Sequence, residues 1–182
     1  QSDAQADPTN ASPIYFTVIF SEPVTGFATG DATLGGTAGA ITADVTAVDS
    51  ATYTVAVSGM TSSGTVIAII EAGKATDLAG NDNLASTSSD NTVTYDITRP
   101  TVTVEQAPLP QTAPTNISPI HFTATFSEPM VGFTASDVLL SSGTATVSTS
   151  DNLVWDISVT GMDQGVLTAT IPANRATDGV GN

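Results

Sequence analysis

A chain of 182 residues has room for one large domain or two of ordinary size, and 40% hydrophobic against 12% charged residues fits a packed protein. Its 18 acidic residues face only 3 basic ones, a net charge of −15 that repels phosphate backbones and leaves no basic face for anionic lipid. An acidic surface does suit cations, although net charge also serves solubility alone.

The first twelve residues are polar and turn-rich and read as a loop. Ile14, Phe16, Val18 and Phe20 then alternate with Tyr15, Thr17 and Ile19, the period of a strand with one buried face. Ser-Glu-Pro follows, and Pro23 ends the strand because it lacks a donor. Beyond Asp31, short runs at Ala32–Leu34 and Ile41–Val45 flank a glycine-rich turn. Tyr53, Val55 and Val57 mark a strong strand, Val66, Ala68 and Ile70 a further one, and ATDLAGN at 75–81 a closing loop. NTVTYD at 91–96 is a last short strand before ITRP, a linker stiffened by Pro100.

Most of this pattern is then written again. FSEPVTGFATGD at 20–31 returns as FSEPMVGFTASD at 126–137, and ATDLAGN returns as ATDGVGN at 176–182. Ile120, Phe122, Ala124 and Phe126 match the first strand, Trp155, Ile157 and Val159 the strong one, and Leu167, Ala169 and Ile171 the one after it. Self-similarity of this kind means a tandem array of one supersecondary unit. The repeat frame is TVTVEQ, PIHFTATF, DVLL, GTATV, VWDISV, VLTATI and NTVTYD. Seven short strands with turns between them and no helical period predict an all-β chain of two tandem immunoglobulin-like antiparallel β-sandwiches, over 1–99 and 100–182. The first copy lacks the opening strand and the second lacks the closing one. The expectation is that these belong to sequence before Gln1 and after Asn182, with strand donation between copies in a filament as the sharper alternative.

SPIYFTVIFSEPVTGF, the ATDLAGN loop and DNTVTYDITRPTVTV together resemble the bacterial Ig-like repeats of large surface and secreted proteins. The likeness spans nearly the whole chain. It implies a non-enzymatic role as a segment of a stalk, adhesin or extracellular fibre, with neighbouring repeats, and glycans or host surfaces, as partners. The absence of cysteine agrees with a bacterial surface protein or a cytosolic one, since small secreted eukaryotic domains usually carry disulfides. No signal peptide and no apolar run long enough to span a bilayer is present, which suits a chain soluble as given or a piece of something larger.

The acids are the residues able to carry a shared site. Glu22, Asp31 and Asp77 recur as Glu128, Asp137 and Asp178, all at strand ends or in loops, and Asp96 stands in the linker region. Calcium takes six to eight oxygens of this kind, and similar repeats hold it at domain junctions, so these seven are its candidate ligands. Against that, Asp77 and Asp178 can close Asx-turns before Gly80-Asn81 and Gly181-Asn182, and Asp31 and Asp137 can simply open a strand. The dense Asp-x-Asp-x-Asp spacing of a dedicated calcium loop is missing.

His121 has Tyr15 as its twin and reads as a surface residue, which leaves neither a zinc set nor a repeated catalytic triad. A glycosidase pair built from Glu22 and Asp31 is disfavoured because it would occur in every repeat. The rival function is a carbohydrate-binding accessory module. That would need exposed aromatics, and Tyr53 and Trp155 are expected in the core instead. Asn10-Ala-Ser and Asn116-Ile-Ser fit the glycosylation pattern but are each followed by proline. The twin of Lys74 is Arg175, which excludes an isopeptide bond common to both repeats.

Overall fold

The computed structural model describes residues 1–107 and 112–182. It is all-β apart from one short 3-10 turn, and the chain divides into two compact units, Gln1–Thr98 and Arg99–Asn182.

In the first unit the strands are β1 (Ile14–Ile19), β2 (Val24–Thr25), β3 (Ala32–Gly35), β4 (Thr42–Ala47), β5 (Thr52–Ser58), β6 (Gly64–Ile70), β7 (Thr76–Asp77) and β8 (Thr92–Tyr95). They form two three-stranded sheets, β1-β5-β4 and β3-β6-β8, and a small ribbon, β2-β7, with antiparallel ladders throughout. Period-two patterning decides which side chains go inside. On β5 the residues Tyr53, Val55 and Val57 are buried, and on β6 the buried set is Val66, Ala68 and Ile70. The two sheets share one core, in which Val55, Val57, Val66 and Val93 are wholly buried. Each such valine contributes about 1.5–3 kcal/mol of hydrophobic stabilisation.

The second unit contains β9 (Val102–Gln106), β10 (Ile120–Phe126), β11 (Leu139–Leu140), β12 (Thr144–Thr149), β13 (Val154–Thr160) and β14 (Ala169–Thr170). Its main sheet runs β12-β13-β10-β9, with β11-β14 as a separate two-stranded piece. Trp155, Ile157 and Val159 of β13 are buried in the same alternation as their twins on β5. A single bridge, Val131 to Thr177, stands where the first unit has its β2-β7 ribbon.

Two details differ from the expectation. The ribbon β2-β7 carries no sequence signal, because two-residue strands show no period. Strand β14 covers two residues where Leu167–Ile171 was expected to be extended. Its twin β6 is held between two neighbours, β3 and β8, whereas β14 pairs with β11 alone and so has half the ladder support.

Candidate functional site

The Phe-Ser-Glu-Pro…Gly-Phe segment is built around aromatic contacts. Phe20 and Phe27, at its two ends, both pack edge-on against Tyr53, with ring centroids 5.7 and 5.1 Å away, and lie 5.3 Å from one another. In the second unit Phe133 bridges Phe126 at 5.2 Å and Trp155 at 5.1 Å, again edge to face. Such pairs contribute about 0.5–1.5 kcal/mol each beyond their buried area. The Tyr53 hydroxyl donates to the Val24 carbonyl at 3.2 Å, and the Trp155 indole N–H to the Asn152 carbonyl at 3.1 Å. Tyr53 and Trp155 are therefore core residues with satisfied polar ends. Of the aromatic residues, Tyr15 is the exposed one among the described residues.

With its two phenylalanines fixed, the segment must turn sharply between them. Gly26 and Gly132 make that turn at φ of +89° and +78°, a region where side chains are disfavoured. Just beyond, Asp31 folds its carboxylate back on the chain: its Oδ2 accepts the Ala28 N–H at 2.9 Å, while its own N–H donates to the Ala28 carbonyl. Asp137 does the same to Thr134, accepting the N–H at 2.8 Å and the hydroxyl at 2.7 Å, and closes the 3-10 turn Ala135–Asp137. These two acids do more than open a strand, since each closes the turn that leads into it.

Pairing of Val24 with Asp77 in the ribbon, and of Val131 with Thr177, brings the Ser-Glu-Pro segment beside the Ala-Thr-Asp loop. There Asp77 Oδ1 accepts the N–H groups of Ala79 and Asn81, both at 2.8 Å, and Oδ2 accepts the Asn81 amide at 2.8 Å. Asp178 Oδ1 accepts from Val180, Gly181 and Asn182, and Oδ2 from the Asn182 side chain at 2.9 Å. Both are Asx-type loop closures. Donors from the Asn81 side chain and backbone hold the Asp77 carboxyl below its ordinary range. Burial pushes the Asp178 carboxyl up, but the donors of Asn182, Val180 and Gly181 outweigh it and the net shift is downward.

Glu22 and Asp77 line one groove of the first unit, and in the second unit the carboxylates of Glu128 and Asp178 come within 4.8 Å of each other. Asp96, at the end of β8, accepts the Ser63 hydroxyl at 3.1 Å and the Thr98 N–H at 2.9 Å. Among the described residues, three acids of the same unit nowhere converge. The pair in each unit therefore supplies only the start of the six to eight oxygens that calcium takes.

Sequence reasoning missed one ionic contact. His121 Nδ1 lies 2.9 Å from Asp156 Oδ1, across the β10–β13 ladder. The corresponding residues of the first unit are Tyr15 and Thr54, so the contact is not part of the repeat. Only the register of the two strands reveals it.

Compared with family models, with curated proteins and with solved structures, the chain finds no match.

Proposed function

We propose that this chain is a non-enzymatic spacer: two immunoglobulin-like β-sandwich beads from a stalk, adhesin or fibre of a bacterial surface or secreted protein. The observation that carries the reading is that the repeated acids work for the fold. Asp31, Asp77, Asp137 and Asp178 each spend their oxygens on neighbouring backbone N–H groups, in the same way in both units. A general acid needs a raised pKa, and Asp77 and Asp178 are held low. The aromatic residues that repeat are buried, which deprives a carbohydrate platform of its usual surface.

The test has two arms. Under load in optical tweezers the chain is expected to unfold in two steps of similar contour length. On a glycan array, and against glycoside and ester substrates, it is expected to give neither binding nor turnover. Selective binding of one glycan would replace this reading with that of a carbohydrate-binding accessory module.

A second reading adds calcium, and the closeness of Glu128 to Asp178 favours it. Two carboxylates within 4.8 Å repel, and a cation between them would relieve that repulsion. Glu128 and Asp178 would hold the ion in the second unit and Glu22 and Asp77 in the first, and its effect would be to stiffen the loops. Calcium would then raise the melting temperature by several degrees more than magnesium or sodium at equal ionic strength, and a chelator would reverse it. Identical curves in the three salts would remove calcium from the account.

A further inference from the structure

The two units treat the same strand edge differently. In the second unit β10 is flanked on both sides, by β13 and by β9. In the first unit β1 has β5 on one side and no strand on the other among the described residues. The direction of the backbone groups shows what this leaves open. Phe20 N–H donates to the Ala51 carbonyl across the β1–β5 ladder, so the even-numbered residues of β1 face β5 and Tyr15, Thr17 and Ile19 face outward. Their twins in the second unit are taken up by β9: Thr123 is paired with Glu105 and Thr125 with Thr103, while the His121 carbonyl accepts the Ala107 N–H. In the first unit only the first of these rungs is made, by the Ser2 N–H to the Tyr15 carbonyl. The rungs at Thr17 and Ile19 have no strand against them.

A groove of about 710 Å³ runs beside this edge, lined by Phe16, Val18 and Phe20 of β1 and by Ala68 and Ile70 of β6. Val18 and Phe20 are half-buried, whereas the corresponding Ala124 and Phe126, under β9, are buried. Glu22, Asp77, Asp82 and Asp90 also line the groove and make its rim acidic. At its end the Gln1 side-chain oxygen is buried with no hydrogen-bond partner.

We propose that this edge is a strand-docking site whose occupant is an extended segment of another polypeptide, with alternating valine and threonine and a basic residue just ahead of them. The occupant runs antiparallel to β1, as β9 runs on β10. Its valines cover Val18 and Phe20, as Val104 and Val102 lie opposite Ala124 and Phe126. Its backbone takes up the outward groups of Thr17 and Ile19, the source of affinity in β-strand addition. The basic flank follows from charge. Arg99 precedes the Thr101–Ser127 hydrogen bond of the second unit by two residues, and a cation at the same place in the donor meets the acidic rim at Glu22. The proposal stands on the edge and not on the spacer reading.

The experiment titrates the full chain with a peptide of residues 99–107, Arg-Pro-Thr-Val-Thr-Val-Glu-Gln-Ala, and follows amide hydrogen exchange. The Thr17 and Ile19 amides are expected to exchange on the order of tenfold more slowly at saturation, while Thr123 and Thr125, already in a ladder, stay unchanged. A peptide with proline in place of its second valine should have no effect. Ile19→Pro removes an outward N–H without touching the β5 ladder, and should abolish binding by a chain that keeps its circular dichroism. No protection at millimolar peptide, or protection only elsewhere, would overturn the proposal. Protection of Thr17 and Ile19 that grows with chain concentration in the absence of peptide would also overturn it, by assigning the edge to a second copy.

Discussion

Gly26 and Gly132 show how a single residue type is imposed. Both sit at positive φ between two phenylalanines anchored on the same aromatic partner, and no atom lies within 4 Å of where a Cβ would be. Substitution thus meets no collision, only the cost of a left-handed backbone. Gly26→Ala is expected to lower stability by about 1–2 kcal/mol, measured by urea unfolding, and Gly132→Ala by a similar amount. The acids of the tight loops act through protonation. Asp49, Asp77, Asp151 and Asp178 all have carboxyls lowered from the ordinary value of 3.8. The unfolded chain therefore takes up protons more readily than the folded one. Stability from these groups is fully present above pH 3.8 and is lost as pH falls below it through the lower folded values. A urea midpoint that is flat near neutrality and falls below that point is the expected outcome, with a shallower fall in Asp77→Asn.

At the scale of elements, the strands were legible where side chains alternate. Strands β1, β5, β6, β10 and β13 were readable because one face of each meets a core. Signals of two or three residues were not. The β2-β7 ribbon and the 3-10 turn at Ala135–Asp137 are held by partners far along the chain or by a carboxylate turned back on its own loop. The aromatic clusters were half visible: the phenylalanines of the repeated segment could be counted, but their common partner on β5 or β13 depends on the fold. Phe27→Ala should remove the centre of one cluster and cost about 3–5 kcal/mol, as buried phenylalanine truncations do. Because each unit has its own core, Phe27→Ala is expected to move one unfolding transition and Phe133→Ala the other, as followed by Trp155 fluorescence together with far-ultraviolet circular dichroism.

For the molecule as a whole the governing quantity is charge. A net charge of −15 on 182 residues destabilises the folded state by self-repulsion, which salt screens. Melting temperature should rise with sodium chloride and level off once screening is complete; a fall would show that favourable ion pairs dominate instead. By itself the sequence determined that the chain is all-β, that one unit is written twice, and which face of each long strand is buried. Those properties follow from local periodicity, and periodicity survives in a linear string. Three things were left to the tertiary structure: that the repeated acids close their own turns, that Glu128 meets Asp178, and that the outward rungs of Thr17 and Ile19 have no strand against them. Each depends on which residue lies opposite which across a ladder or a loop, and one residue of slip in register would change all of them.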